Sequence, residues 1–292
     1  MPDDDIYISF ITSLKLCGGY IDFKYRIKLY IEQISKNCKK LGIPFEILIC
    51  EDMCEKNAEF LKDFFSDEFL IEHNTRLFER KQDYPNPREH NMLESYNKNL
   101  CIGESKGKYL CCTSGDVFMN DEFFKTLLQL DQYENTLYRS LSYEVKELDK
   151  HWKDCDLEYL SNYCENNTLR CYNNHIMGGI KVSDVAYKSG DIMLMNRDLW
   201  IKIRGFPQNG CFHHTDYGVC IVANNNRIPF RCFIENIKVY SLQHSRSSHI
   251  VNENKKIQLS GKEMDIVEHM ICMKLRNSLT CNDNFNNPPE NP

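Results

Sequence analysis

Short β-rich segments alternate with helical segments along the first half of this chain, and that alternation restricts its fold more than any other feature. The β-rich segments are Ile6–Thr12, Phe45–Cys50, Phe69–Ile71 and Tyr109–Cys112. From about residue 22 to residue 40, apolar residues recur at helical spacing, and the intervals 54–65, 89–105 and 122–130 also indicate helices. Such alternation is typical of a mostly parallel sheet with helices on both faces. We therefore predict an α/β fold built on one sheet.

The second half of the chain has a less regular pattern. A strand is expected at Leu137–Leu141, and the interval 143–175 is charged and poor in pattern, which indicates an excursion over a site. The later predictions are strands at Asp191–Met195, Arg231–Ile234 and Ile237–Tyr240, and helices at Arg197–Ile203, His213–Asn224 and Glu263–Leu275. Since no linker divides the chain, we expect one domain over residues 1–255, a C-terminal helix within 256–280 packed on it, and a disordered tail over 281–292.

Composition excludes several classes of partner. The net charge of −6 provides no general basic surface, which argues against nucleic acid. No stretch approaches the roughly 20 apolar residues that cross a bilayer, so no membrane span is expected. The chain has 15 cysteines, an odd number, and the acidic segment Met1–Asp5 lacks the apolar run of a secretion signal. We therefore expect reduced thiols and a cytoplasmic location.

A small polar cluster follows the predicted strand Tyr109–Cys112 and contains one carboxylate, Asp116. In open α/β sheets, ligands bind beyond the carboxyl ends of the strands. A carboxylate in that position can offer oxygen ligands to a divalent cation that holds a diphosphate. The competing interpretation is that Asp116 only caps a turn.

Four other polar side chains stand at the ends of predicted elements. They are Asp52 after the second strand, Asp191 at a strand start, Asp216 at a helix start and His244 after the last strand. A metal ion bound by Asp116 and His244 would neutralise part of a diphosphate leaving group. Ordinary alternatives exist for the rest: Asp52 as a solvated turn residue, Asp191 as a backbone partner and Asp216 as an N-cap.

The order of these features resembles that of the GT-A fold glycosyltransferases, and especially the small family-2-like transferases. Four segments, within about residues 5–250, carry the resemblance. Glu94–Leu110 is similar to the Lys-Asn-x-Gly element that leads into the metal-binding Asp-x-Asp motif, and Gly190–Phe206 is similar to the acceptor-side Gly-Asp motif. His214–Asp216 resembles a short His-x-Asp motif, and Ile237–His244 resembles the closing segment with its histidines.

The resemblance implies a GT-A-like fold with a single Rossmann-type mixed sheet, and a glycosyltransferase. The donor would be a UDP- or GDP-sugar, the acceptor a saccharide or another hydroxyl compound, and the cofactor Mn²⁺ or Mg²⁺. The implied metal ligands are Asp116 and His244, and the implied contacts to the nucleotide sugar are Thr12, Asp52, Asn99 and Ser114. Asp216 and Asp191 would be the catalytic carboxylates, and Asp191 and His214 would face the acceptor. Inversion at the anomeric carbon is expected by analogy alone.

The chain departs from the family pattern at three positions. Ser114 replaces the first carboxylate of the Asp-x-Asp motif, Cys101 replaces a glycine, and Ser241 replaces a histidine. The loss of two candidate ligands keeps a second hypothesis open, a sugar- or nucleotide-binding protein without turnover. A third hypothesis is a nucleotidyltransferase, which requires a glycine-rich phosphate loop and paired carboxylates. Cys17–Gly19 supplies only a fragment of such a loop.

Overall fold

The computed structural model describes residues 6–14, 16, 22–53, 60–81, 94–149, 151–172, 189–208, 215–233, 236–242, 275 and 277–282. Its strands are β1 (Ile8–Leu14), β2 (Phe45–Met53), β3 (Thr75–Lys81), β4 (Tyr109–Thr113), β5 (Val117–Met119), β6 (Leu137–Ser140), β7 (Ser142–Val145), β8 (Thr168–Tyr172), β9 (Ser189–Asn196), β10 (Phe230–Phe233) and β11 (Val239–Leu242). Its α-helices are α1 (Phe23–Leu41), α2 (Leu61–Phe64), α3 (Asp67–Glu72), α4 (Glu94–Glu104), α5 (Asp121–Leu127), α6 (Leu157–Asn166), α7 (Arg197–Ile203) and α8 (Thr215–Asn225).

Seven strands form one large sheet in the order β10-β6-β9-β4-β1-β2-β3. Strands β4, β1, β2 and β3 run parallel to one another, and β6 runs parallel to β10. Strand β9, which lies between β6 and β4, is antiparallel to both. Apolar clusters cover the two faces, one against α1 and α5 and the other against α4, α7 and α8. The predicted α/β class and mixed sheet are confirmed.

Helix α1 shows why the first predicted helix forms where it does. Its buried apolar residues Ile27, Ile31 and Ile34 recur three or four positions apart, so they face the sheet together. The helix ends at Gly42, whose φ of 67° allows the left-handed cap and whose backbone N–H bonds the last carbonyls. Lys39 and Lys40 in the last turn complement the negative end of the helix dipole.

A second sheet of four strands, in the order β5-β11-β7-β8, was not anticipated from the sequence. Much of it comes from the interval 143–175, for which the sequence pattern indicated only an excursion over a site. The structure instead forms β7, α6 and β8 there, and β11 lies between β7 and β5. Strands of three to five residues carry little periodicity of their own, because their pairing partners are distant in sequence.

Two predictions at element level were wrong. Phe69–Ile71 belongs to helix α3, because Ser66 caps the helix by accepting a hydrogen bond from Phe69 N (3.2 Å), and two acidic residues follow it. The third strand is β3, an edge strand in which the adjacent Leu77 and Phe78 are flanked by polar residues on both sides. Cys281, assigned to the disordered tail, is buried, and its N–H bonds Ile203 O (2.7 Å).

Other predictions fall partly or wholly outside the described residues. These include the segment 54–59, most of the predicted C-terminal helix, and the tail beyond residue 282. Every cysteine within the described ranges is a free thiol. No helix in the described part of the chain is both long and apolar enough to cross a membrane.

Candidate functional site

The turn that contains Ser114 and Asp116 is held in place by helix α1. Gln33 donates from Nε2 to Val117 O (3.1 Å) and accepts from Met119 N at Oε1 (3.0 Å). One turn earlier on the helix, the Tyr30 hydroxyl shares a hydrogen bond with Thr113 Oγ1 (2.6 Å). Hydrogen bonds from helix α1 therefore hold the turn on both sides, and Asp116 is half-buried at its surface.

Gly115 lets this turn lie directly on the end of β1. A Cβ atom at that position would be 2.8 Å from Ile27 Cδ1 and 3.2 Å from Thr12 Oγ1, closer than ordinary van der Waals contact. Only glycine fits without displacing the isoleucine side chain. As a result, Thr12 lies beside the Asp116 turn.

Strands β9 and β11 bring two further predicted segments to the same place. Thr113 pairs with Ile192, so the start of β9, with Asp191, lies next to the end of β4. Ser241 pairs with Val117, the residue after Asp116, so β11 ends beside the turn at Leu242, two residues before His244. His244 and His214 lie outside the described residues, and so does the side chain of Asp191. The described residues include no group of three potential metal ligands.

Asp216, at the start of α8, forms an ion pair with Arg139 of β6. Asp216 Oδ2 lies 2.9 Å from Arg139 Nη2, and Arg139 Nη1 donates to Cys220 Sγ (2.9 Å). The guanidinium is fully buried, whereas the side chain of Asp216 is 30% exposed. Burial alone would lower the pKa of Arg139, but Cys220 and Asp216 outweigh it and raise that pKa.

Lys98 of α4 places a second buried cation near Asp216. Its ammonium group lies 2.5 Å from Glu94 Oε1 and 5.4 Å from the centre of the Phe206 ring. Burial alone would lower the pKa of Lys98, and the surrounding groups, with Glu94 first and Asp216 among them, raise it overall. This side of the sheet thus carries two buried cations and two partly exposed carboxylates, which can bind and orient an anionic or polar ligand.

The sequence-based grouping of Thr12 with Asp52 needs correction. Successive side chains of a strand point to opposite faces of the sheet. Thr12 shares the face of Phe10 and Leu14, against α1, whereas Asp52 shares the face of Leu48 and Cys50, against α4. Their strands are adjacent, but the two side chains are separated by the thickness of the sheet.

Asn99 has a structural role that the motif comparison did not suggest. Its Nδ2 donates to Phe206 O (2.8 Å), and its Oδ1 accepts from Phe206 N (2.7 Å). Both groups of the amide are thus engaged in holding the segment between α7 and α8. Its contact with a nucleotide sugar stays a prediction, and it would require these two bonds to open.

Sequence reasoning missed two buried cations near Asp216, Arg139 and Lys98. It also missed two buried polar residues on the same face of the sheet, Asn97 and Ser13. Arg139 could have been noticed, because a charged residue inside a short apolar strand is uncommon unless it is paired. Lys98 and Asn97 lie within the quoted Glu94–Leu110 motif. Ser13 gives no sequence signal, because its position on the α4 face follows only from the pairing of β1 with β2.

Comparison with solved structures identifies the class of fold. The chain is similar to TarS of S. aureus, a glycosyltransferase: a structure of its residues 1–349 matches at 12% identity and a TM-score of 0.51, over 92% of this chain and 72% of that one. A complex of the same fragment with UDP matches at 12% identity and a TM-score of 0.50, over 92% and 70%. A further TarS structure matches at 12% identity and a TM-score of 0.51, over 90% of this chain and 43% of that one.

These matches show that this chain shares the mixed α/β fold of TarS. Comparisons with protein-family models and with curated proteins find no match.

Proposed function

We propose that this protein is a glycosyltransferase that moves a sugar from a nucleoside-diphosphate sugar to a hydroxyl acceptor. The observation that carries the proposal is the convergence of polar groups at the carboxyl ends of β1, β2, β4 and β6. The Asp116 turn, the start of β9 and the Arg139–Asp216 pair all lie at that edge, where open α/β sheets bind ligands. The UDP complex of TarS supports a nucleotide sugar as the first donor to test.

The proposed reaction is a direct displacement at the anomeric carbon. The acceptor oxygen forms a new bond to that carbon while the bond to the diphosphate oxygen breaks, and the diphosphate leaves with the bonding electrons. A carboxylate of the protein accepts the proton of the acceptor hydroxyl. Such a single displacement inverts the configuration, an outcome that rests on the family resemblance.

We assign the base to Asp216, with Asp191 as its competitor. Arg139 holds Oδ2 of Asp216 and so fixes the orientation of the carboxylate, which is partly exposed to solvent. This leaves its other oxygen available to an acceptor hydroxyl. Asp191, near the end of β4, and His214 are assigned to acceptor binding.

A divalent cation, Mn²⁺ or Mg²⁺, belongs to the proposal. Asp116 offers a half-buried carboxylate on a rigid turn, a hard oxygen ligand of the kind such ions prefer. His244, two residues beyond the end of β11, is the second proposed ligand. When bound, the cation offsets negative charge on the departing nucleoside diphosphate.

A binding protein without turnover is the alternative that Ser114 favours, because the serine removes one carboxylate from the turn. The two functions are separated by incubating the protein with a panel of nucleotide sugars and Mn²⁺ and measuring released nucleoside diphosphate. Acceptor-dependent release supports the transferase. Saturable binding of the same donor without release supports the binding protein. The expected cytoplasmic location stays a prediction.

A further inference from the structure

We infer that Asn97 and Ser13 bind the nucleobase of the donor, in a polar subsite on the α4 face of the sheet. This inference rests on the proposed function, because it assigns the base end of the same nucleotide sugar. Neither residue belongs to the contacts implied by the family resemblance.

The amide of Asn97 is buried without a partner. Its side chain is 1% exposed, and in the described structure neither Nδ2 nor Oδ1 makes a hydrogen bond. More than nine in ten buried polar groups in proteins are satisfied, and a buried group without a partner costs about 1–3 kcal/mol. An amide that lacks partners for both its donor and its acceptor therefore indicates a ligand that supplies one of each.

Helix α4 places this amide at the carboxyl end of β2. The end of the helix lies at the start of β2, since Lys106 N donates to Glu46 Oε1 (2.6 Å), so the helix runs antiparallel to the strand. The thiols of Cys101 and Cys50 are in contact. Asn97 is one turn before Cys101 on the same helix face, an advance of about 6 Å.

Asp52 is two residues beyond Cys50 on the same strand face, an advance of about 6.6 Å. Asn97 and Asp52 are therefore level with each other, on the α4 face, at the end of β2. Both side chains are buried.

Ser13 lies on the neighbouring strand at the same level. It pairs with Cys50 in the sheet register, so its side chain also points to the α4 face. Its hydroxyl is buried, with 6% of the residue exposed, and makes no hydrogen bond in the described structure. Ser13 and Asn97 thus provide two unsatisfied polar side chains beside the carboxylate of Asp52.

The position of Asn97, Ser13 and Asp52 in the sheet indicates that they bind the nucleobase of the donor rather than its sugar. Strand β2 is separated from β9, which carries Asp191, by β1 and β4, a distance of about 14 Å at a spacing of about 4.8 Å per strand. Asp191 and the Arg139–Asp216 pair define the transfer end of the site. If the sugar binds at that end of the site, the nucleobase of the donor must bind at the opposite end, beside β2. An amide offers a donor and an acceptor side by side, which matches the adjacent N3–H and O4 of uracil.

The test compares two asparagines of the same helix. In Asn97→Leu, the unsatisfied amide is replaced by an apolar group of similar size, so the melting temperature without ligand should stay the same or rise. The affinity for UDP, measured by calorimetry with Mn²⁺, should fall about 10- to 30-fold, the equivalent of two hydrogen bonds. The control for stability alone is Asn99→Leu, which loses two bonds to Phe206 and should lower the melting temperature.

Ser13→Ala provides a second measurement, with an expected loss of about fivefold in UDP affinity from one hydrogen bond. If Asn97→Leu does not fold, this smaller substitution decides alone. A fall in the melting temperature of Asn97→Leu with unchanged UDP affinity would overturn the inference, as would unchanged affinity in Ser13→Ala. If the unsubstituted protein binds neither UDP nor UDP-sugars, the proposed donor fails, and this base subsite fails with it.

Discussion

The carboxylate of Asp216 lies 2.9 Å from the guanidinium of Arg139, and the two partners differ sharply in their access to water. Arg139 is a fully buried residue of β6, whereas Asp216 stands partly exposed at the start of α8. A buried cation with a carboxylate at the protein surface can serve both stability and chemistry. The two roles are separable by experiment.

Removing one partner of the ion pair should destabilise the protein more than removing both. Asp216→Ala removes the carboxylate that pairs with the buried guanidinium. We expect a loss of about 3 kcal/mol in the free energy of unfolding, the lower end of the range for a broken buried pair, because water reaches the carboxylate side. The double variant Arg139→Met/Asp216→Ala should recover part of this loss, since no isolated charge remains. Urea unfolding of Asp216→Ala, Arg139→Met and the double variant measures the interaction energy between the two residues. Strictly additive losses would show that the two residues do not depend on each other.

Asp216→Asn should lower kcat by about 10²–10⁴-fold, the usual contribution of a positioned proton acceptor. The amide oxygen can still accept a bond from Arg139, so the affinity for the donor should change little. Steady-state kinetics at a temperature where the variant is folded measure kcat, and calorimetry measures donor affinity. Asp191→Asn is the matched comparison. A large loss of kcat in Asp191→Asn alone would assign the base to Asp191, and a collapse of donor binding in Asp216→Asn would make Asp216 structural.

Asp116→Asn should remove most Mn²⁺-dependent turnover, because it takes the only carboxylate from the turn between Ser114 and Val117. The amide keeps the size of the side chain and should leave the fold intact, which circular dichroism can check. Release of nucleoside diphosphate over a Mn²⁺ titration is the measurement. Ser114→Asp, which restores a second carboxylate, should lower the Mn²⁺ concentration needed for half-maximal turnover. Full activity of Asp116→Asn with an unchanged Mn²⁺ requirement would exclude Asp116 as a ligand.

Glu51, at the end of β2, should make stability depend on pH. Burial raises its pKa from 4.5 to about 7, against the lowering effect of the bond from Leu61 N to Oε2 (2.8 Å). Between these two values the folded protein binds more protons than the unfolded chain, so this group's contribution to stability falls as pH rises from about 4.5 to above 7.

Glu51→Gln keeps an acceptor for Leu61 N and removes the titration. The decline of melting temperature across this pH range should therefore be shallower in the variant than in the unsubstituted protein. Parallel pH profiles of the two proteins would show that Glu51 is ionised in the folded state throughout the range.

Several strands and helices could be predicted from the sequence because each has its own pattern of apolar residues. The strands β1, β2 and β4 are apolar segments, and α1 repeats its apolar residues at helical spacing, so each element could be recognised without its neighbours. The same holds for the Asp116 turn, since a carboxylate directly after a buried strand must lie near the ligand-binding edge of the sheet. The resemblance to glycosyltransferases extended this to a fold class that the structural comparison supports.

The sequence by itself determined the strands β1, β2 and β4, the helix α1 and the polar residues that follow these strands. Only the tertiary structure decided which face each polar side chain occupies and which groups meet across it. Thr12 and Asp52 were expected together, yet the alternation along paired strands separates them, and the pairing register is a property of two strands rather than one. Arg139 meets Asp216 across 77 positions of sequence, and Asn99 meets Phe206 across 107, because packing α8 and the segment before it against the sheet brings distant groups into hydrogen-bonding distance.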